Sequence, residues 1–156
     1  MSAKTQFENK NLPGFLVTGI SVRTTNKDGQ SNKDIGDLWT RFMAEGIAGQ
    51  IPEKLSDDVY CVYTDYESDY MGWYTAVIGC GVSEAVAVDG LFTAMIPAGN
   101  YRVYKPEGEF PASVANTWMQ IWEDGAGRAY IADYDLYKAG AKSFEETETE
   151  IFVGIL

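Results

Sequence analysis

Phe15-Leu16-Val17-Thr18-Gly19-Ile20 and Leu91-Phe92-Thr93-Ala94-Met95-Ile96 are two versions of one strand. The duplication continues along the chain. Leu38-Trp39 through Gly46 returns as Thr117-Trp118 through Gly125, Asp65-Tyr66-Glu67 as Asp133-Tyr134-Asp135, and Val77-Ile78-Gly79 as Phe152-Val153-Gly154. The landmarks keep their order, and each recurs roughly 70 to 80 residues later, the size of a supersecondary unit rather than a short solenoid repeat. Each copy reads strand, helix, strand, strand. The predicted fold class is α+β, two βαββ units paired about a pseudo-two-fold axis. The seam between them is a natural place for a cleft. The copies span about 14–84 and about 90–156 within a single domain, 14–156, preceded by a polar, flexible N-terminus at about 1–13.

Between the landmarks the periodicity is legible. The first strand covers about Phe15–Thr24, and a polar loop at Thr25-Asn26-Lys27-Asp28-Gly29-Gln30 leads to a helix starting near Ser31 or Asn32. Ile35, Leu38, Trp39, Phe42 and Met43 form one apolar stripe on it, and Gly46 or Gly49 ends it. Strands are expected at about Val59–Tyr66 and Gly72–Val82, paired as a hairpin. In the second copy the strand beginning at Leu91 is kinked by Pro97-Ala98-Gly99-Asn100 and continues through Tyr101-Arg102-Val103-Tyr104. A helix opens at Pro111, presents Val114, Trp118, Ile121 and Trp122, and stops at Gly125. Two strands, Ala129–Tyr137 and Thr147–Ile155, flank a turn at Ala139-Gly140-Ala141-Lys142. The apolar stripes require one sheet face to meet both helices, which leaves the other available for a ligand groove.

Composition removes several function classes. With 23 acidic and 12 basic residues the net charge is −11, which opposes direct binding to nucleic-acid phosphates. The chain has no histidine, so Ser-His-Asp and Cys-His catalysis and the usual zinc ligand sets are absent. Cys61 and Cys80 lie in apolar strands and read as reduced core thiols. Neither a cofactor loop nor a metal site is expected. No apolar run reaches membrane-spanning length and no signal-peptide core is visible, so a cytoplasmic location is expected, with no membrane partner. Ten Tyr and four Trp exceed what a core of this size requires, pointing to an aromatic-lined binding site.

Alternation on the last strand sends Ile151, Val153 and Ile155 to the helices and Glu150, Phe152 and Gly154 to the other face. Superposing the copies on Gly79 and Gly154 sets Glu150 where the first copy has Thr75, and the same alternation puts Trp73 on Glu150's face. A carboxylate among rings suits a lipophilic cation. Glu150 could equally be one more solvated strand residue. Trp39, Trp118 and Trp122 read as core, with Trp39 and Trp118 placed to reach a groove from its ends. Asp65, Glu67, Asp133 and Asp135 read as structural groups at strand ends, forming an acid/base pair only on convergence in space.

The duplicated βαββ plan, Asp-Tyr-Asp-Leu-Tyr at 133–137, the ending Glu-Ile-Phe-Val-Gly-Ile at 150–155 and Tyr74-Thr75-Ala76-Val77-Ile78-Gly79 resemble the GyrI-like small-molecule-binding superfamily. This is the effector-binding domain of AraC-type and MerR-type regulators, and the likeness is greatest to its stand-alone YdeE and integron-associated branch. The resemblance covers about residues 14–155. It implies a curved antiparallel sheet with a central groove for lipophilic, often cationic, compounds. It matches Glu150 to an anionic anchor and Trp73 or Tyr74 to the groove wall; Phe152 by alternation, and Trp39 and Trp118 by their equivalence in the two copies, are the further candidates for its lining. It implies a non-catalytic sensor, with no catalytic residue, no cofactor and no metal. Hydrolysis of strained electrophiles by the groove glutamate and protein–protein inhibition of the gyrase type are the alternatives. The chain leaves no room for a helix-turn-helix module, so a transcriptional role needs a DNA-binding partner protein.

Overall fold

The computed structural model describes residues 6–69, 71–106, 112–124, 127–139 and 148–156. The strands are β1 (Phe7–Leu12), β2 (Phe15–Thr25), β3 (Val59–Thr64), β4 (Trp73–Val82), β5 (Phe92–Ile96), β6 (Gly99–Tyr104), β7 (Arg128–Tyr137) and β8 (Thr149–Ile155). The helices are α1 (Gln30–Ala44), after β2, and α2 (Ala112–Asp124), after β6. The strands form one antiparallel sheet in the order β1-β6-β8-β7-β3-β4-β2-β5. The two halves meet at the β3–β7 pair, where Val62 faces Tyr134. Pro111, Gly125, the turn at 140–142 and Thr147 lie outside the described residues.

Two differences from the sequence expectation have one cause. Prolines divide the first strand of each copy, giving β1 and β2 around Pro13-Gly14, and β5 and β6 around Pro97-Ala98. Residues 7–12 are therefore not a loose N-terminus. They pair with β6 from Phe7↔Tyr104 to Leu12↔Gly99. This edge strand is almost wholly exposed, so its polar side chains carry no alternation to read. Backbone pairing holds it, helped by Phe7 against Tyr104 with the Arg102 guanidinium over the Phe7 ring.

These links dictate the sheet's shape. β1 and β2 stand six places apart in the strand order, as do β5 and β6. A flat sheet would separate each pair by about 29 Å. A two-residue link reaches at most about 11 Å. The sheet must curl until its ends approach. The links then meet: a Cβ on Gly14 would lie 2.9 Å from the Ile96 oxygen and 3.0 Å from the Ala98 nitrogen. Curling fills the concave face with its own side chains. Val17, Val62, Val77, Ile96, Tyr134 and Phe152 form a buried cluster there, and Phe15 of β2 reaches Tyr134 of β7 at 5.4 Å between ring centroids.

The helices cover the convex face, one per half. Leu38 and Phe42 of α1 are buried against Ile20, Cys61, Ile78 and Cys80, with Ile35 and Trp39 packed at the margin. Met43, expected in that stripe, is exposed. Trp118 and Ile121 of α2 pack with Tyr104, Ile151 and Val153. Cys61 and Cys80 are free and buried, and burial pushes both thiols up, away from reactivity.

Gly19 and Gly79 face each other across β2 and β4 at nearly touching distance. A Cβ on Gly79 would sit 2.0 Å from the Thr18 oxygen, a backbone atom that cannot yield cheaply. In a urea titration, Gly79→Ala is expected to cost about 3 kcal/mol of unfolding free energy. Gly36, inside α1, has nothing within 4 Å of its would-be Cβ. Gly36→Ala is expected to gain about 0.5–1 kcal/mol in the same urea titration.

Candidate functional site: an aromatic cavity at the seam

β7 carries the polar residues of the site. Its alternation sends Tyr134 into the concave cluster and Asp133, Asp135 and Tyr137 toward the helices. A charged group on a buried strand face must be paired or neutralised. Asp135 is 2% exposed and is met by three side-chain donors. The Tyr63 hydroxyl donates to Oδ2 at 2.7 Å, the Trp118 indole Nε1 donates to Oδ1 at 2.8 Å, and the Tyr137 hydroxyl approaches Oδ2 at 3.5 Å. Burial outweighs these bonds and raises the carboxyl to about 7. Burial beside this carboxylate pushes the Tyr63 phenol far up, so it remains a neutral donor.

Asp133 is the partner of a buried arginine. The register of β7 on β8 slips between Arg128 and Asp133, and Tyr130 within the slip has φ 54°. A left-handed tyrosine is costly, and bulges of this kind re-aim side chains. Here the irregularity brings Arg128 back onto its own strand: Nη2 donates to Asp133 Oδ2 at 2.7 Å, with the two side chains 2% and 0% exposed. The Tyr66 hydroxyl shares Oδ2 at 2.5 Å, and the Gly154 backbone N–H donates to Oδ1 at 2.8 Å. The guanidinium lies 4.4 Å from the Tyr130 ring centroid and 5.9 Å from that of Trp118.

Above this layer is a cavity of about 380 Å³. Each helix covers its own half of the sheet, so the seam between them is left open. Tyr63, Tyr66, Tyr74, Trp118, Trp122 and Arg128 form most of its chemistry, with Ile35, Gly36, Ala115 and Met119 on the helical sides and Asn26, Ser31 and Asn32 at one end. The rings interlock edge to face: Tyr63 with Trp118 at 5.2 Å and with Tyr74 at 6.0 Å. Tyr74 donates to Asn26 Oδ1 at 2.7 Å, and burial raises its phenol to about 12. The volume suits a ligand of a few rings. Asp135 is not itself in the wall; it is bonded to two rings that are.

The sequence candidates divide between the two faces. Tyr74 and Trp118 come together in the cavity wall. Trp39 packs against Phe42 and Tyr137 beneath α1, outside that wall. Glu150 and Phe152 lie on the concave face, as alternation predicts, but that face is filled where a groove was expected. Phe152 stacks on Tyr134 at 4.5 Å, and Glu150 pairs with Lys138 at 3.0 Å. Trp73 is not a neighbour of Glu150. The register runs Glu150↔Leu136, Leu136↔Tyr60, Tyr60↔Gly79, and Trp73 lies six residues along β4 from Gly79, about 20 Å away. The cavity thus sits at the seam on the helix side of the sheet, whereas the groove was expected on the other face. Asp133 and Asp135, expected at a strand end, are internal to β7, whereas Asp65 is exposed beyond the end of β3. Two aspartates inside an otherwise apolar strand were the available signal for a buried polar site. Among the described residues no group of three or more His, Cys, Asp or Glu could hold a metal. None of the described helices is long and apolar enough to cross a membrane.

A family model described as integron-associated effector binding protein matches residues 10–155. An integron cassette protein from Vibrio cholerae, VCH_CASS2, is 28% identical, with a TM-score of 0.76 over 97% of this chain and 96% of that one. SAV2435, in a structure bound to tetraphenylphosphonium, is 18% identical, with a TM-score of 0.78 over 97% and 94%. The C-terminal domain of EcmrR is 17% identical, with a TM-score of 0.55 over 97% and 98%. Among curated proteins, none is similar in sequence to this chain.

The raised Asp135 carboxyl fixes the sign of a pH dependence. The folded protein holds this proton up to about pH 7, whereas the unfolded chain loses it near its ordinary value of 3.8. Stability from this group is complete below 3.8 and is lost as pH rises to about 7. Urea midpoints of the wild type are expected to fall between pH 5 and 7, by at most about 1.4 kcal/mol per pH unit, and to level off above. In Asp135→Asn that slope should vanish.

Proposed function

Since the chain belongs to the integron-associated effector-binding protein family, we propose that it binds lipophilic, cationic small molecules in the seam cavity, without turning them over. The observation that carries this is Asp135 behind the aromatic wall. Its carboxyl accepts from the Tyr63 hydroxyl and the Trp118 indole. Each of those rings turns a face or edge to the cavity. A cation resting on electron-rich rings is attracted by their quadrupoles, and a carboxylate directly behind them strengthens the attraction. The apolar body of the ligand gains from displacing water off Ile35, Met119 and Trp122. The tetraphenylphosphonium complex of SAV2435, a protein of the same fold, supports a cation of this size and chemistry. The net charge of −11 adds a long-range field that concentrates cations near the surface.

The role that follows is that of a sensor. Binding closes a cavity whose walls belong to both halves of the sheet, so occupancy stiffens one half against the other. A module of this fold also occurs as the C-terminal domain of EcmrR, which supports a signal passed to a partner protein carrying the DNA-binding function.

A bound cation stabilises the ionised form of Asp135, so binding and deprotonation are coupled. Titration with tetraphenylphosphonium, followed by tryptophan fluorescence, is expected to show affinity rising up to tenfold per pH unit below about pH 7. Asp135→Asn should abolish that rise and weaken binding about tenfold at pH 8. Glu150→Gln, on the opposite face, should change affinity less than about twofold. Loss of binding in Glu150→Gln with Asp135→Asn unaffected would move the site to the concave face.

A further inference from the structure

We infer that Arg128 is a specificity-determining residue of the seam cavity, recognising a hydrogen-bond-accepting oxygen on the ligand. The inference rests on the cavity being the binding site. It adds a second chemical requirement: the ligand is a lipophilic cation that also carries an oxygen acceptor, a carboxylate being the strongest.

Arg128 lines the cavity while its side chain is 2% exposed. Only Nη2 is committed, to Asp133. Nε and Nη1 are buried with no hydrogen-bond acceptor among the described residues. Buried donors are nearly always satisfied, and one guanidinium with two free nitrogens is a marked exception. The Tyr130 ring already lies 4.4 Å from the guanidinium carbon and the Trp118 ring 5.9 Å from it. The unused capacity is in the plane of the guanidinium. Both atoms are closed to solvent here, so an acceptor reaches them only from a ligand that parts the cavity wall as it enters. The chain keeps this group at a cost. A left-handed Tyr130 and a slipped register hold Arg128 in place. Asp133 balances its charge, so the acceptor need not be an anion, but Nε and Nη1 point to opposite sides of the guanidinium, so each offers a single charged N–H, which bonds a carboxylate oxygen more strongly than a neutral one.

The test uses two matched cations, butyltriphenylphosphonium and (3-carboxypropyl)triphenylphosphonium, titrated at pH 8 and physiological salt. The wild type is expected to bind the carboxylated compound about tenfold more tightly. In the charge-balanced variant R128M/D133N that preference should fall to about unity. A direct readout needs no variant: the Arg128 Nε–H resonance should move downfield with the carboxylated compound and not with the butyl one. Equal affinity of the two cations for the wild type, or a preference that survives in a folded R128M/D133N, overturns the role of Arg128 alone. Binding of neither cation overturns the cavity as a cation site, and this inference with it.

Discussion

Two short links hold the architecture in place. Pro13-Gly14 and Pro97-Ala98 each join strands six places apart in the sheet order. Two residues cannot cross a flat sheet of that width, so the sheet is curled before any side chain is considered. The curl decides which face can be a core and which can be a site. The concave side closes on itself and becomes dry. The convex side accepts two helices, one per half, and cannot be sealed at the middle because the helices belong to different halves. The cavity is the remainder of that geometry.

At this remainder the chain places groups that are poor choices for stability. Asp135, Asp133 and Arg128 are all buried, and burying an ion pair costs more than its attraction returns unless the surrounding bonds are nearly complete. For Asp133 they are: Arg128, Tyr66 and the Gly154 N–H saturate it. For Asp135 the donors are neutral, and the carboxyl responds by holding its proton more firmly. For Arg128 they are incomplete. The three groups thus grade from fully satisfied to unsatisfied within a few residues of one strand. Structural polar groups belong at the satisfied end, and functional ones at the other.

The sequence made the duplication, both helices, the four long strands and the two faces of the last strand legible, because each depends on local period. On β8, Ile151 and Val153 pack beneath α2 while Phe152 turns to the other face, as alternation has it. What local period cannot reveal is which face stays open. That follows from long-range connectivity, and the polar edge strand Phe7–Leu12 that completes the connectivity has no hydrophobic signal. Glu150 was selected by comparing the copies, and its pairing with Lys138 depends on two strands meeting in register. Asp133 and Asp135 stand in the sequence as the counterparts of Asp65 and Glu67. The copies diverge here: Asp65 is in a loop at φ 51°, its carbonyl bonded by Arg23.

The reciprocal pairing of β1 with β6 and of β5 with β2 has a consequence for how the protein is made. Each half borrows its outermost strand from the beginning of the other. During synthesis β1 waits for Gly99–Tyr104 before it has a partner, and the outer edge of β2 stays bare until Phe92–Ile96 arrives. The N-terminal half therefore cannot finish as an independent unit on the ribosome, although it holds a full βαββ set. Folding is deferred until most of the chain is available, and the bare edge of β2 is meanwhile a template for the wrong strand. Duplication alone would let a fold assemble one copy at a time; the exchange of edge strands makes this one assemble whole.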